Sequence, residues 1–254
     1  MLKFVRYPLA IFHILFAYNH AIYSFNNNGD IKTPIPDKDS YYNISEKKDL
    51  VRSTDITTNY NRWDIQNIGL SEKAFKYAIK GYKYLAKKNL IKKTNIISII
   101  DFSMPSTQKR LYILDVINGK ILFNTLVAHG HNSGQEYATR FSNATNSHES
   151  SLGFYITLDT YIGDNGYSLR LEGCDKGFND KAYKREIVLH GSDYVSEDFI
   201  RNNGFLGRSF GCPAVPLELH KEIIDCIKNG SCLFIYYPTK KYLTRSKILN
   251  SKLS

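Results

Sequence analysis

No apolar run near the N terminus is long enough to cross a bilayer. The stretch from Leu9 to Tyr18 is broken by His13 and falls well short of the ~20 residues a transmembrane helix needs. The sequence also lacks an HExxH pair, any zinc-finger spacing and any aromatic ribonucleoprotein motif, which removes the common signatures of zinc peptidases and nucleic-acid modules. There is no internal repeat. Cysteine is scarce, with 4 in 254 residues, and 43% of the chain is hydrophobic, so a core can form without disulfides.

The charge is plentiful but unevenly placed. The chain carries a formal +10, yet residues 94–239 hold 13 basic against 16 acidic side chains. The basic excess therefore lies in the flanks, chiefly Lys73 to Lys93 and Lys240 to Lys252. Such flanks fit attraction to an anionic membrane or wall polymer, and nucleic acid is not expected as a partner.

Five segments follow from composition and pattern. Residues 1–24 read as a signal peptide: Lys3 and Arg6 precede the short apolar run, and Ala21 and Ser24 offer small residues for cleavage. Export to the periplasm or cell envelope is the expectation. Residues 25–66, rich in Asn, Asp, Ser and Thr with Pro34 and Pro36, read as a disordered tether. Residues 67–93 are a helical lead-in, with Ser71 as N-cap and Phe75, Ala78, Ile79, Tyr82, Leu85 and Ala86 on one face. Residues 94–239 form the main domain, and 240–254 a basic tail.

Within that domain the pattern is short β segments: "NIISIIDF", "RLYILDVI", "KILFNTLVAH", "GFYITLDTY", "YSLRLEG", "EIVLH" ending at His190, and "SCLFIYY". Asn118-Gly119 predicts a two-residue hairpin turn. One helix is expected from Leu217 to Asn229, stopped by Gly230. The fold class is mainly β, with helices at its margins.

The chemistry points to "GRSFGCPAVP". A nucleophilic cysteine needs a base, oxyanion donors and a backbone that presents the sulfur. Gly211 permits strained angles beside Cys212, and Pro213 blocks a central strand from running through it. Proline has no N–H, so the donors must be Cys212 itself and residues upstream. His190 is the best candidate base, and a backbone carbonyl or Asp193 can fix its tautomer.

The blocks "VLHGSDYVS" and "LGRSFGCPAVP", with "VAHGHNSG", "YATRFSN", "SSLGFY" and "GYSLRLEG" upstream, resemble the L,D-transpeptidase (YkuD-type) catalytic domain, in its murein L,D-transpeptidase branch. The resemblance covers about residues 94–238 and implies a YkuD-like β-sandwich or barrel. It implies Cys212 as nucleophile, His190 as base and Gly191 as the carbonyl that orients the imidazole. It also implies an oxyanion hole from the N–H groups of Gly211 and Cys212. The substrate implied is the tetrapeptide stem of peptidoglycan, held as a thioester after loss of the terminal D-alanine and resolved by a neighbouring amine into a 3→3 crosslink. No metal and no organic cofactor are implied. Arg208 is placed to meet a stem carboxylate, Ser209 beside it as substrate contact or plain turn residue, and His129 in the cleft wall. The commoner motif of the family has histidine where this chain has Phe210.

Two other classes are kept open. His129 and His131, with His148 or His190, would make a zinc-dependent peptidoglycan peptidase. A non-catalytic binder of anionic wall polymers would leave Cys212 unreactive, for example paired with Cys174, Cys226 or Cys232. A papain-like or NlpC-type amidase would place cysteine before histidine, and only His220 follows Cys212.

Overall fold

The structure, a computed structural model, describes residues 65–251. The segment read as a signal peptide and all but the last two residues of the one read as a tether lie outside the described residues. Among the described residues no helix is long and apolar enough to cross a membrane.

A short 3-10 turn at Ile65–Ile68 leads into α1, Glu72–Lys87, where the Ser71 hydroxyl accepts from the Ala74 N–H at 3.1 Å. Its buried face, with Phe75, Ala78, Ile79, Tyr82 and Leu85, follows the spacing read from the sequence. Lys73, Lys76, Lys80 and Lys87 face solvent. The helix shares one hydrophobic core with the sheet, so the lead-in is part of the domain.

Eight strands make one mixed sheet: β1 Ile96–Asp101, β2 Leu111–Asp115, β3 Lys120–Thr125, β4 Gly153–Gly163, β5 Gly166–Gly173, β6 Val188–Ser192, β7 Ala214–Pro216 and β8 Cys232–Tyr236, in the order β3-β2-β1-β8-β4-β5-β6-β7. The β1–β8 and β6–β7 pairs are parallel, and the other neighbours antiparallel. The chain leaving β3 crosses to the far edge, where the Ala128 N–H meets the Ala214 carbonyl at 2.8 Å. That crossing brings the two edges together into a nearly closed barrel and protects β7.

Several expectations are corrected. The β2–β3 hairpin closes through four residues, 116–119. The Asp115 carboxylate accepts from the Ile117 and Asn118 N–H groups at 3.0 and 2.9 Å, and this side-chain cap outweighs the preference of Asn-Gly for a two-residue turn. Strand β6 runs past His190 to Ser192, because β7 starts directly after Pro213 and pairs with it in parallel. The helix near the end, α3, is shorter than expected, His220–Ile227. It follows α2, Glu197–Asn203, which the sequence reading did not anticipate.

The segment read as a basic tail folds onto the barrel. Thr239 caps α4, Lys240–Arg245, and Tyr242, Ile248 and Leu249 are buried in the main core. The buried Asp175 carboxylate accepts from the Tyr242 hydroxyl at 3.0 Å, the Ser246 hydroxyl at 2.5 Å and the Phe154 N–H at 2.9 Å. A carboxylate so placed is satisfied jointly by β4 and by the final helix with its C-cap, and ties that segment down.

Candidate active site

Cys212 sits in a loop braced by its own side chains. The Ser209 hydroxyl accepts from the Gly211 N–H at 3.1 Å and donates to the Cys212 carbonyl at 2.6 Å. Ser209 is buried, so its role is to staple this turn; the expected substrate contact is not available to it. The Ser150 hydroxyl donates to the Gly211 carbonyl at 3.3 Å. Gly211 has φ +124°, and a Cβ there would stand 2.9 Å from the Glu149 carbonyl oxygen. Any side chain would therefore disrupt the loop. One consequence corrects the expected oxyanion hole: the Gly211 N–H is already engaged by Ser209. The Cys212 N–H has no hydrogen-bond partner among the described residues.

The half-buried sulfur of Cys212 accepts from the Val188 N–H at 3.4 Å and its S–H donates to the Glu186 carbonyl at 3.7 Å. Burial pushes this thiol above its ordinary pKa, partly offset by the Val188 N–H and the Arg185 charge, so the resting form is the thiol. All four cysteines are free, so the pairing expected of an inert Cys212 is not found.

His190 lies mid-strand in β6, opposite Ser168 of β5 and Ala214 of β7. Its Nδ1 lies 3.0 Å from the Gly191 carbonyl, which places the proton on Nδ1 and leaves Nε2 as the basic nitrogen. Burial lowers its pKa, the Gly191 carbonyl opposes this, and the nearby His220 lowers it further; the ring is neutral at neutral pH. A Cβ on Gly191 would lie 2.6 Å from Cγ of His220. The absence of a side chain there lets His220 of α3 pack close against Gly191.

The β6–β7 register brings the two candidates together. His190 pairs with Ala214, and Cys212, two residues before Ala214, takes the Val188 N–H on its sulfur at the edge of the same strand. The two candidates thus lie on adjoining segments at one end of the β6–β7 pair. No hydrogen bond joins them in this structure.

Two residues that the sequence reading missed flank the sulfur. Arg185 donates to the Ser142 carbonyl at 2.9 Å, the Ser151 hydroxyl at 2.5 Å, the Ser147 hydroxyl at 3.1 Å and the Glu149 carbonyl at 2.9 Å. It clamps the loop over Gly211, and its charge favours the thiolate. Tyr194, whose carbonyl accepts from the Gly207 N–H at 3.0 Å, has its phenol pushed above the ordinary pKa mainly by burial and in smaller part by the charge a Cys212 thiolate would carry.

The expected cleft residue His129 lies elsewhere in character. It is fully buried, its Nδ1 accepts from Nη2 of the fully buried Arg110 at 2.8 Å, and its Nε2 lies 3.3 Å from the Gly134 carbonyl. Desolvation, then the Arg110 charge, pushes its pKa down to about 3. With both nitrogens engaged it neither lines the cleft nor suits a cation. His131 is exposed, with Nδ1 3.2 Å from the Asn132 side-chain oxygen, and no group of three or more potential metal ligands occurs among the described residues. Arg208 is half-buried, donates to the Gly134 carbonyl at 3.2 Å and lies over the Phe205 ring at 5.5 Å. Phe210 is 73% exposed and packs on His148 with ring centroids 4.5 Å apart.

Solved structures with a related backbone include an L,D-transpeptidase of Mycobacterium smegmatis (11% identity, 56% of this chain and 59% of that one, TM-score 0.35). An L,D-transpeptidase of Xylanimonas cellulosilytica (16%, 57% and 63%, 0.33) and a mutant L,D-transpeptidase of Enterococcus faecium (15%, 57% and 50%, 0.35) align similarly. The chain thus spans less than two thirds of each of these proteins. No curated protein sequence matches. A family model described as the L,D-transpeptidase catalytic domain matches residues 66–236, a stretch holding α1, every strand of the sheet, His190 and Cys212, and the chain therefore belongs to that family.

Proposed function

We propose that the chain is an exported cysteine L,D-transpeptidase acting on peptidoglycan tetrapeptide stems. The observation that supports this reading is the braced loop that holds the Cys212 sulfur against the Val188 N–H at 3.4 Å, two residues along β6 from His190, whose Nδ1 is fixed by the Gly191 carbonyl at 3.0 Å. Both groups rest uncharged, so no ion pair has to be desolvated before substrate arrives. As the sulfur turns from the Glu186 carbonyl toward Nε2 of His190, the imidazole takes the thiol proton and Sγ attacks the carbonyl of the third stem residue. The Cys212 N–H donates to the developing oxyanion. The attack forms the S–C bond; collapse of the tetrahedral intermediate re-forms the C=O bond and breaks the C–N bond to the terminal D-alanine as His190 returns the proton to the leaving amine. An amine of a neighbouring stem then attacks the thioester and gives a 3→3 crosslink; water in its place gives a shortened stem.

Incubation with tetrapeptide muropeptides, read by mass spectrometry, is expected to yield free D-alanine and dimers, both insensitive to chelators and absent with Cys212→Ala. Full turnover by that variant would remove the thiol mechanism, and loss of turnover on chelation would restore the zinc reading. Export is part of the proposal and rests on the order of charge and apolarity in residues 1–24; N-terminal sequencing of the mature chain tests it. The exposed lysines of α1 are proposed to attract anionic wall or membrane polymers, an association expected to weaken as salt rises.

A further inference from the structure

The chain after β8 lies beyond residues 66–236, the stretch matched by the family model, yet it packs on the segment that reaches the nucleophile. That segment, residues 175–187, runs from β5 to β6. It brings two groups to the sulfur. The Glu186 carbonyl accepts from the Cys212 thiol, and the Arg185 guanidinium clamps the loop over Gly211. Glu186 does this at φ +56°, a left-handed conformation that a residue with a side chain keeps only where its surroundings enforce it.

The enforcement can be followed from residue to residue. The N–H groups of Asn179, Ala182, Arg185 and Glu186 donate to the carbonyls of Asp175, Asn179, Lys181 and Tyr183 at 2.8 to 3.0 Å, so the segment is a chain of linked turns. Its first residue is fixed twice: the Asp175 N–H donates to the Asn179 side-chain oxygen at 2.8 Å, and the Asp175 carboxylate takes the hydroxyls of Tyr242 and Ser246. The Tyr242 ring also stands edge-on to Phe178, with centroids 5.0 Å apart. A second route crosses the core. The Asn179 amide donates to the Phe154 carbonyl at 2.9 Å, the adjoining buried Tyr155 hydroxyl donates to the Ser151 carbonyl at 2.9 Å, and the Ser151 hydroxyl takes Arg185. Stripped of the two C-terminal hydroxyls, Asp175 would keep one donor among the described residues, the Phe154 N–H. That is too little for a carboxylate at 2% exposure.

We infer that residues 239–251 brace the wall of the active site, and that Asp175, Tyr242 and Ser246 are positioning residues acting on Cys212 through residues 175–187 and Arg185. The role of Cys212 as nucleophile rests on the transpeptidase reading; the brace does not. Two charges on the segment act on the thiol: Arg185 favours the thiolate, and the Glu186 carboxylate opposes it more weakly. With the brace loosened, the segment recedes and the thiolate loses its stronger helper.

Alkylation by iodoacetamide tests this, because its rate follows the thiolate. The full chain is labelled across pH, and peptide mapping separates Cys212 from the other free cysteines. Tyr242→Phe with Ser246→Ala removes both hydroxyls and keeps the ring on Phe178. This pair is expected to raise the midpoint of Cys212 labelling by at least about half a pH unit. Arg185→Met should raise it too, and adding the pair to Arg185→Met should move it no further. Ile99→Val, in β1, lowers Tm without moving the midpoint, which separates bracing from general loss of stability. An unmoved midpoint in the pair would overturn the inference, as would shifts that add to that of Arg185→Met. If the pair does not fold, Tyr242→Phe alone should raise the midpoint by at least about 0.2 pH unit, and no movement there overturns it equally. Labelling needs no stem peptide. A raised midpoint in a chain that does not process muropeptides spares the brace and sinks the enzyme reading; turnover with an unmoved midpoint does the reverse.

Discussion

The chain contains two nearly identical tetrapeptides, "VAHG" at 127–130 and "VLHG" at 188–191, and the structure uses them in opposite ways. His129 and His190 are both buried, at 0% and 4% exposure, and both rings are held by hydrogen bonds. What differs is the partner of Nδ1. In His190 it is the carbonyl of the next residue, so Nδ1 bears the proton and Nε2 keeps its lone pair. In His129 it is the guanidinium of Arg110, so Nδ1 must accept and the proton moves to Nε2, which lies against the Gly134 carbonyl. A tautomer set by one local carbonyl yields a candidate base, whereas a tautomer set by a distant buried cation yields a structural pin.

Substitution should separate the two histidines most sharply. His190→Gln is expected to lower kcat by about 10²–10⁴-fold, while His129→Gln keeps kcat within about threefold and lowers Tm; equal rate losses in both would erase the distinction drawn here. Next in size, Arg110→Met should destabilise the fold by roughly 2–4 kcal/mol by denatured-state equilibrium, because the Val127 and Met104 carbonyls that its guanidinium serves lose their donors inside the core. An unchanged midpoint would contradict the pinning role.

Acid should then act on the two sites in different ways. Protonation of His190 removes the base, so turnover is expected to fall with a midpoint below the ordinary histidine value of about 6.5, in line with the lowered pKa. For His129 the folded pKa of about 3 lies below the unfolded value. The stability gained by keeping it neutral is complete above about pH 6.5 and is lost progressively as pH falls toward 3. His129→Gln should flatten that part of the stability curve without moving the acid limb of the rate. The smallest effect is expected at Ser209. Ser209→Ala removes the staple across the Cys212 turn at a cost of about 1 kcal/mol, and a several-fold fall in kcat with little change in KM would separate loop bracing from substrate contact.

Local pattern carried much of this into view. The stripe of α1, the short apolar runs of the central strands and the glycine and proline around Cys212 each act over a few residues, and each sits where the sequence placed it. The family blocks around His190 and Cys212 likewise fall inside the matched domain. What escaped notice depends on distant partners. Arg185 gave no signal, because its four acceptors lie more than thirty residues away. The burial of His129 depends on Arg110 across the barrel, and Asp175 holds the final segment from 67 and 71 residues away. Strand β7 has only three residues, too few for periodicity to register. The engagement of the Gly211 N–H by Ser209 is local, yet "RSFGC" fits an open or a stapled turn equally well.

The central claim is that Cys212 is a nucleophile whose proton passes to His190. Intact-protein mass spectrometry of the full chain after brief exposure to a tetrapeptide stem tests it most directly. The expected result is a mass gain equal to the peptide less D-alanine, mapped to Cys212, abolished by Cys212→Ala and slowed at least about a hundredfold by His190→Gln. An adduct on another residue, or one that forms at the normal rate with His190→Gln, would contradict the account.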